Sequence, residues 1–249
     1  MIILKSRPEI EKMRKSNALV AAILEELKKK IRPGVKTIEL DRLSEEMALK
    51  KGARPAFKGY RGYPYSLCTS VNSEVVHGMP SERELKEGDI VSLDFGILND
   101  GYYGDAAVTV PVGEITPAAR KLLKVTEEAL YRGIAEVRAG NRIGDISAAI
   151  QGHVEAAGYS VVRDLVGHGI GKSLHEDPQV PNYGTSGRGV ELKPGMAFAI
   201  EPMVNEGTYR VDILRDGWTV VTADGKLSAH FEHSVAITEN GPVILSRIG

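Results

Sequence analysis

The chain repeats its own pattern at an offset of slightly more than one hundred residues, and this repeat restricts the folds that it can adopt. The segment Ile-Arg-Pro-Gly at 31–34 returns as Val-Arg-Ala-Gly at 137–140. LKEGDIVSLDFG, from Leu85, is matched by LKPGMAFAIEPM, from Leu192. Recurrence of the same segments in the same order is typical of a duplicated unit. We therefore predict a single domain over residues 1–249, made of half-domains at about 1–112 and 113–249 and related by a pseudo-two-fold axis.

The first half opens with two segments of helical periodicity. Ser6 with Glu9 three residues on forms a capping box, and apolar residues recur until Pro33-Gly34, which predicts a helix of about 24 residues. Thr37 is the predicted cap of a second helix that ends at Gly52. In the second half, equivalent signals predict a third helix from Thr116-Pro117 to Gly140 and a fourth over about 143–157.

A predicted β-hairpin at residues 90–110 carries two carboxylates. Its strands are rich in Val, Ile, Leu and Tyr, and Asp100-Gly101 is the preferred dipeptide of a two-residue turn. Counting back from that turn places Gly96 opposite Asp105 and puts Asp94 on the same side, about 5–8 Å from Asp105 at Cβ. Like charges this close cost stability unless a cation lies between them. The hairpin thus raises the hypothesis of a metal site. For two aspartates alone, the commoner interpretation is a solvent-facing strand residue and a turn residue, and the features described next reverse that preference.

The repeat supplies two further carboxylates. It aligns Glu201 with Asp94 and, after an additional loop in the second half, Glu232 with Asp105. If the halves pack about a two-fold axis, the four carboxylates converge, and their charge balances two divalent cations. Dinuclear sites of this kind are a known solution in hydrolases. One imidazole ligand would shift the preference from Mg²⁺ or Ca²⁺ towards Co, Mn, Fe or Zn.

Histidines next to glycines are the candidate imidazole ligands. The stretch VGHGIGKSLHEDP supplies His168 and His175, and His77 precedes Gly78. Glycine lets the backbone approach a ligand closely, which favours a functional interpretation of these three histidines. The other three are interpreted as ordinary surface or core residues: His153, His230 and His233.

Composition excludes several classes of protein. The net charge is −1 with the signs interspersed, so the chain has no nucleic-acid footprint, and it has no signal-peptide core or transmembrane run. One cysteine, Cys68, excludes an internal disulfide and suits a reducing compartment. A phosphate-binding loop at 166–173 would need glycine at its first position, which is Val166. We predict a cytoplasmic protein with neither a membrane nor a specific nucleic-acid partner.

Taken together, the motifs resemble those of the type I methionine aminopeptidases, a branch of the creatinase/aminopeptidase "pita-bread" family. The resemblance covers nearly the whole chain and rests on these stretches, in this order: VNSEVVHG, DFG, DGYYGDAAVTV, GHGIGKSLHEDP, AIEPM and AHFEHSVAIT. It implies an α+β pita-bread fold in which a curved antiparallel or mixed sheet is backed by four helices. It also implies a two-metal centre with five ligands: Asp94, Asp105, His168, Glu201 and Glu232.

The resemblance further implies how substrate is held. His77 and His175 would contact the peptide, with His175 stabilising the oxyanion and Glu201 moving the proton. The methionine pocket would be lined by Tyr60, Tyr63, Cys68 and Trp218, with Phe57 and Leu174 as further walls. Arg61 and Leu174 depart from the side chains of some family members, which affects the rim and tightness of this pocket.

The implied activity is hydrolytic removal of the initiator methionine from peptides and nascent chains, with a preference for a small second residue. The implied protein is a monomer with transient ribosome contact. A proline-specific aminopeptidase or dipeptidase, which shares the ligands, is the nearest alternative. Some relatives keep the fold as metal-free binding proteins, but those would have lost ligands, and here all five are present.

Overall fold

Four helices lie against antiparallel sheets in the part of the chain that the computed structural model describes, residues 1–247. The helices are α1 (Arg7–Lys28), α2 (Thr37–Lys50), α3 (Pro117–Ala135) and α4 (Ile143–Ala156). The strands of the first half are β1 (Arg54–Pro55), β2 (Leu67–Val71), β3 (Glu74–Val76), β4 (Ile90–Asn99) and β5 (Tyr102–Pro111). Those of the second half are β6 (Ser160–Val161), β7 (Gly167–Gly169), β8 (Glu176–Val180), β9 (Ala197–Ile200), β10 (Met203–Asn205), β11 (Val211–Ile213), β12 (Val220–Thr222), β13 (Ser228–His230), β14 (Glu232–Thr238) and β15 (Gly241–Ile244).

The main sheet has nine strands and crosses both halves of the chain. Its order is β1-β4-β5-β14-β9-β7-β8, with β2 added on β4 and β15 on β14. Two three-stranded sheets, β13-β10-β6 and β11-β12-β3, complete the structure. Every described pairing in the main sheet is antiparallel. The architecture is α+β, as the resemblance implies, and the main sheet is antiparallel rather than mixed.

The predicted hairpin is confirmed in its register. Strand β4 pairs with β5 so that Asn99 faces Tyr102 and Gly96 faces Asp105. The turn residues Asp100 and Gly101 have φ of 49° and 77°, as a turn of type I′ requires. Because the turn fixes the pairing, each residue of β4 and β5 has its face of the sheet decided locally.

The helix boundaries differ from the predictions in detail. The Glu9 carboxylate accepts a hydrogen bond from the Ser6 N–H at 2.8 Å, which confirms the first cap, but α1 ends at Lys28, before Pro33-Gly34. Thr37 is the first residue of α2 and does not cap it. Its hydroxyl instead donates to the Ser81 carbonyl at 3.1 Å, because the chain after β3 returns alongside this helix end. Similarly, α3 ends at Ala135, and Gly140 lies beyond it in the loop to α4.

The two halves make the same backbone contacts at equivalent positions. Gly34 donates to the Leu85 carbonyl at 2.8 Å, and Gly140 donates to the Leu192 carbonyl at 3.1 Å. These contacts tie the loop before the second helix of each half to the segment that leads into its long strand. The division into half-domains itself stays a prediction.

Apolar side chains from the helices cover the face of the main sheet opposite the candidate site. One cluster joins α1 and α2 to β2, β4 and β5, and another joins α3 and α4 to β9 and β14. Phe95 of β4 and Phe198 of β9 are fully buried in these clusters. Truncating either to alanine would cost about 3–5 kcal/mol. None of the described helices is long and apolar enough to cross a bilayer.

Candidate metal centre

Strand register brings the predicted carboxylates together on one face of the sheet. Asp94 of β4 and Glu232 of β14 both pair with Ala107 of β5, one from each side. Directly paired residues point to the same face, so two carboxylates flank one small side chain in a single row. Asp105 lies one row away, and the Ser234 hydroxyl donates to its carbonyl at 2.8 Å. Small residues between the carboxylates leave space for a ligand above the sheet.

Gly96, which pairs with Asp105 on β4, also leaves space beside the Asp105 carboxylate because it has no side chain. A Cβ at this position would lie 3.2 Å from the Asp105 carboxylate and 2.7 Å from the Phe57 ring. Glycine is therefore required by the close approach of its neighbours. This agrees with the predicted role of Gly96 in the hairpin.

His168 and Glu201 come from the neighbouring strands. His168 pairs with Ala199 of β9, and Glu201 follows the last residue of that strand. Gly167 and Gly169 flank His168, and a Cβ on either would meet a backbone carbonyl of an adjacent strand. The His168 Nδ1 lies 2.8 Å from its neighbour's carbonyl oxygen, which leaves Nε2 to face the carboxylates.

Three of these side chains form a group that can hold a metal ion. Asp105, His168 and Glu232 are buried, and one ligand atom of each lies within 4.8 Å of the others. The Glu201 Oε1 atom is 3.6 Å from the His168 Nε2 atom. Carboxylate oxygens without a hydrogen-bond partner among the described residues belong to Asp94, Asp105 and Glu232. Buried polar atoms without partners are rare in folded proteins, so unpaired carboxylate oxygens beside an imidazole fit a divalent cation.

Burial and mutual repulsion disfavour the charged forms of these carboxylates. Burial raises the pKa of Asp94 to about 7. Burial, and next the charge of Asp94, raise the pKa of Asp105, and the same two causes raise that of Glu201. Burial, followed by the charges of Asp105 and Glu201, raises the pKa of Glu232. A bound cation would reverse this balance by stabilising the ionised carboxylates.

The two substrate-binding histidines predicted from the sequence lie beside this group. The rings of His175 and His168 have centroids 4.2 Å apart, and His175 is exposed where His168 is buried. The His175 Nδ1 atom is 2.8 Å from the Tyr60 hydroxyl, and the two rings are stacked. His77 has a φ of 58°, an uncommon conformation for a non-glycine residue, and its ring lies edge-on to Trp218.

A single cavity of about 150 Å³ joins the carboxylates to a group of aromatic and apolar side chains. All thirteen residues predicted from the sequence line it: Phe57, Tyr60, Tyr63, Cys68, His77, Asp94, Asp105, His168, Leu174, His175, Glu201, Trp218 and Glu232. The Tyr63 hydroxyl donates to backbone carbonyls of Leu67 and Gly78, which fixes that ring in the wall. The cavity is thus polar at one end and apolar at the other.

Arg61 also lines the cavity and was identified only as a departure from family members. It has a φ of 49°, and its guanidinium lies 5.5 Å from the centre of the Tyr60 ring. Although His175 as a whole is exposed, partial burial of its ring and, second, the Arg61 charge lower its pKa. Arg61 therefore places a cation at the rim of the cavity.

His230 is a core residue, as one of its two interpretations has it, but its ring is not an ordinary one. Its ring is 1% exposed, yet neither ring nitrogen has a hydrogen-bond partner among the described residues, and Nε2 is 3.7 Å from the Glu201 Oε2 atom. Burial lowers its pKa to about 3, so the ring is neutral. One feature of the sequence could have identified His230 as a site residue. It lies two positions before Glu232, and residues two apart in an extended chain point to the same face.

The other two histidines agree with their interpretation as structural residues. His233 pairs with the Ser246 hydroxyl at 2.8 Å on the helix side of the sheet. His153 lies on α4 and pairs with Glu128 at 3.2 Å.

The chain is similar over its length to proteins of known family. Residues 11–239 match the model of metallopeptidase family M24. The methionine aminopeptidase of Clostridium perfringens is 57% identical over 248 residues, and methionine aminopeptidase 1 of Bacillus subtilis is 55% identical over 248 residues; each comparison covers 100% of both chains. The crystal structure of methionine aminopeptidase from Thermotoga maritima superposes with a TM-score of 0.98 at 52% identity, again over 100% of both chains. The chain therefore belongs to metallopeptidase family M24, in its methionine aminopeptidase branch.

Proposed function

We propose that this protein removes the initiator methionine from peptides and nascent chains by metal-dependent hydrolysis, with a preference for a small second residue. The observation that carries the proposal is the cavity itself, in which a carboxylate and imidazole cluster adjoins an apolar aromatic wall. The free N-terminus of a peptide matches the carboxylate end of such a cavity, and an unbranched apolar side chain matches its aromatic end. A hydrolase acting on internal peptide bonds would need the cleft to continue past the apolar wall.

Two divalent cations are the proposed cofactor, chosen from Co, Mn, Fe or Zn. Their ligands would be Asp94, Asp105, His168, Glu201 and Glu232. Four carboxylates balance the charge of two divalent ions, which removes the repulsion described above. When bound, such ions polarise the scissile carbonyl and activate water as a nucleophile.

The remaining residues act on substrate and protons. Glu201, at the edge of the carboxylate cluster, takes the proton from the attacking water and passes it to the leaving amine. The exposed His175 donates a hydrogen bond to the oxyanion that develops during attack. His77 donates to the peptide backbone beyond the scissile bond, which aligns the substrate without changing its charge.

The aromatic end sets the specificity for methionine. Tyr63, Cys68 and Trp218 line this end together with Tyr60, Phe57 and Leu174, and burial raises the pKa of the Cys68 thiol, so the thiol stays neutral. A charged side chain would lose its hydration there without gaining a partner. We further propose that the protein works as a monomer in the cytoplasm, in transient contact with the ribosome.

The proposed function is tested with peptides that share a small second residue. Protein stripped with a chelator and reloaded with Co²⁺ or Mn²⁺ should cleave Met-Ala-Ser, and it should leave Lys-Ala-Ser and Glu-Ala-Ser intact. The proline-specific alternative predicts cleavage of Ala-Pro-Ser instead. Full activity on Met-Ala-Ser without added metal would refute the metal requirement, and equal cleavage of the lysine peptide would refute the pocket.

A further inference from the structure

His230 is a buried histidine next to the candidate metal centre that the proposed mechanism does not use. It is the last residue of β13 and pairs with Met203 of β10. Its backbone is fixed a second time by Thr109, whose hydroxyl donates to the His230 carbonyl at 2.7 Å. Only 1% of its surface is exposed, so the ring is fully buried. Its two unpaired nitrogens therefore need an explanation.

The ring points at Glu201. The His230 Nε2 atom is 3.7 Å from Oε2 of Glu201, and the His168 Nε2 atom is 3.6 Å from Oε1 of the same carboxylate. Glu201 therefore lies between two imidazoles, with one facing each oxygen. Of these two, only His168 belongs to the group that can hold a metal ion.

We propose that His230 is a positioning residue for Glu201, whose ring N–H donates to Oε2 and so leaves Oε1 to the cation on the His168 side. This inference rests on the proposed function, because it takes Glu201 to be a metal ligand. Ligating carboxylates are usually held by a hydrogen bond from outside the site, and losing that partner typically lowers metal affinity or activity about 10- to 100-fold. The carboxylate needs to move by less than about 1 Å for the N–H to reach it.

Three variants test the role. His230→Leu removes the donor while keeping an apolar side chain in a buried position. His230→Gln keeps an N–H donor at a similar reach. His233→Leu is the matched control, because His233 flanks Glu232 from the other side but points towards Ser246 and α3.

The readout is Co²⁺ binding to chelator-treated protein, followed by calorimetry and by the visible spectrum of the bound ion, without substrate. We expect His230→Leu to weaken the affinity of the site that includes Glu201 about 10- to 100-fold and to change the spectrum. His230→Gln should stay within about threefold of the unmodified protein, because its amide replaces the ring N–H. His233→Leu should bind Co²⁺ normally.

Several results would overturn the proposal. One is normal Co²⁺ affinity and an unchanged spectrum in His230→Leu. Another is an equal loss in His230→Gln and His230→Leu, which would mean that ring shape or direct ligation matters rather than the N–H. Melting temperatures of the metal-free variants separate loss of the fold from loss of the site. Glu201→Gln separates the two proposals, since normal Co²⁺ binding in that variant would contradict the ligand assignment itself.

Discussion

The carboxylate end of the cavity is carried by strands, whereas the aromatic end is carried mainly by loops. Asp94, Asp105, His168 and Glu232 each lie within a strand of the main sheet, and Glu201 follows one directly. By contrast, Phe57, Tyr60, Tyr63, Leu174 and Trp218 lie between strands. Cys68 is the exception, because it lies on β2 and pairs with Asp94, where the two ends meet.

This difference separates chemistry from specificity. Strand pairing fixes ligand positions through many backbone hydrogen bonds, which is the precision that a two-metal site needs. Loops are held by fewer contacts and accept substitution more readily. Arg61 lies in a single 3₁₀ turn (Tyr60–Gly62) and Leu174 in a loop, so both lie outside the strands. We therefore expect substitutions at the strand end to abolish catalysis and those at the loop end to adjust it.

The largest effect is expected from Asp105→Asn. This substitution keeps the shape of the side chain but removes a charge from the group shared with His168 and Glu232. Loss of Lewis-acid assistance is worth several kcal/mol, so kcat/KM should fall at least about 10³-fold. Metal content, measured by elemental analysis, should fall with it. The exposed Asp164→Asn is the control, and equal activity of the two variants would contradict the ligand assignment.

His175→Ala should be next in size, because His175 is assigned to charge that develops only in the transition state. Removing such a donor typically lowers kcat about 10²- to 10³-fold with little change in KM. His175→Ala should retain its metals, whereas His168→Ala should lose them and recover rate when metal is added in excess. The reverse pattern would mean that the roles of His175 and His168 are exchanged. His153→Ala, on α4 and away from the cavity, serves as the control.

From about pH 6.5 upwards, the metal-free protein should lose stability until the raised pKa of each buried carboxyl is passed, and for Asp94 that pKa is about 7. Buried carboxyls with raised pKa values keep protons in the folded state that the unfolded chain has already released, so each one lowers the free energy of unfolding by about 1.4 kcal/mol per pH unit. The buried histidines oppose this trend only at lower pH, because burial lowers the pKa of His168 to about 3 and of His77 to about 4. Above their ordinary value of 6.5, they are neutral in both states.

Urea unfolding from about pH 6.5 upwards measures this dependence. Adding Mn²⁺ should remove it, because cations stabilise the ionised carboxylates. A metal-free protein whose stability is flat or rises over this range would show that the carboxylates ionise freely.

Tyr60→Phe tests whether the loop end influences the chemistry. It keeps the stacked ring but removes the hydroxyl that pairs with His175 at 2.8 Å. A hydrogen bond of this kind contributes about 0.5–1.5 kcal/mol, so kcat should fall about threefold to tenfold, with KM for the methionine peptide nearly unchanged. Tyr65→Phe, in the same segment, is the control. If only KM changed, Tyr60 would contribute to the wall of the pocket and would not influence the chemistry through His175.

The smallest effect is expected from replacing the substrate's methionine with norleucine. The two side chains have similar volume, and exchanges that conserve volume in an apolar site cost less than about 1.5 kcal/mol. Steady-state kinetics on norleucyl-Ala-Ser should therefore show kcat/KM reduced by less than about tenfold. A loss as large as that of His175→Ala would mean that the pocket recognises the sulfur specifically.

Much of the site could be predicted because its residues belong to local patterns. The turn at Asp100-Gly101 set the register of Asp94 against Asp105, and the repeat located Glu201 and Glu232. Helix ends were less predictable, since the Thr37 hydroxyl found a partner in Ser81, more than forty residues away. A cap predicted from neighbouring residues cannot anticipate a competing partner of that kind.

By itself, the sequence determined the hairpin, the helix-forming segments and the chemical types that converge on the cavity. Those properties depend on periodicity and turn chemistry, which act over a few residues at a time. Only the tertiary structure decided that Ala107 separates two carboxylates, that Tyr60 reaches His175, and that His230 faces Glu201. Each of these contacts joins segments distant in the chain, and the direction of a buried ring depends on every element packed around it.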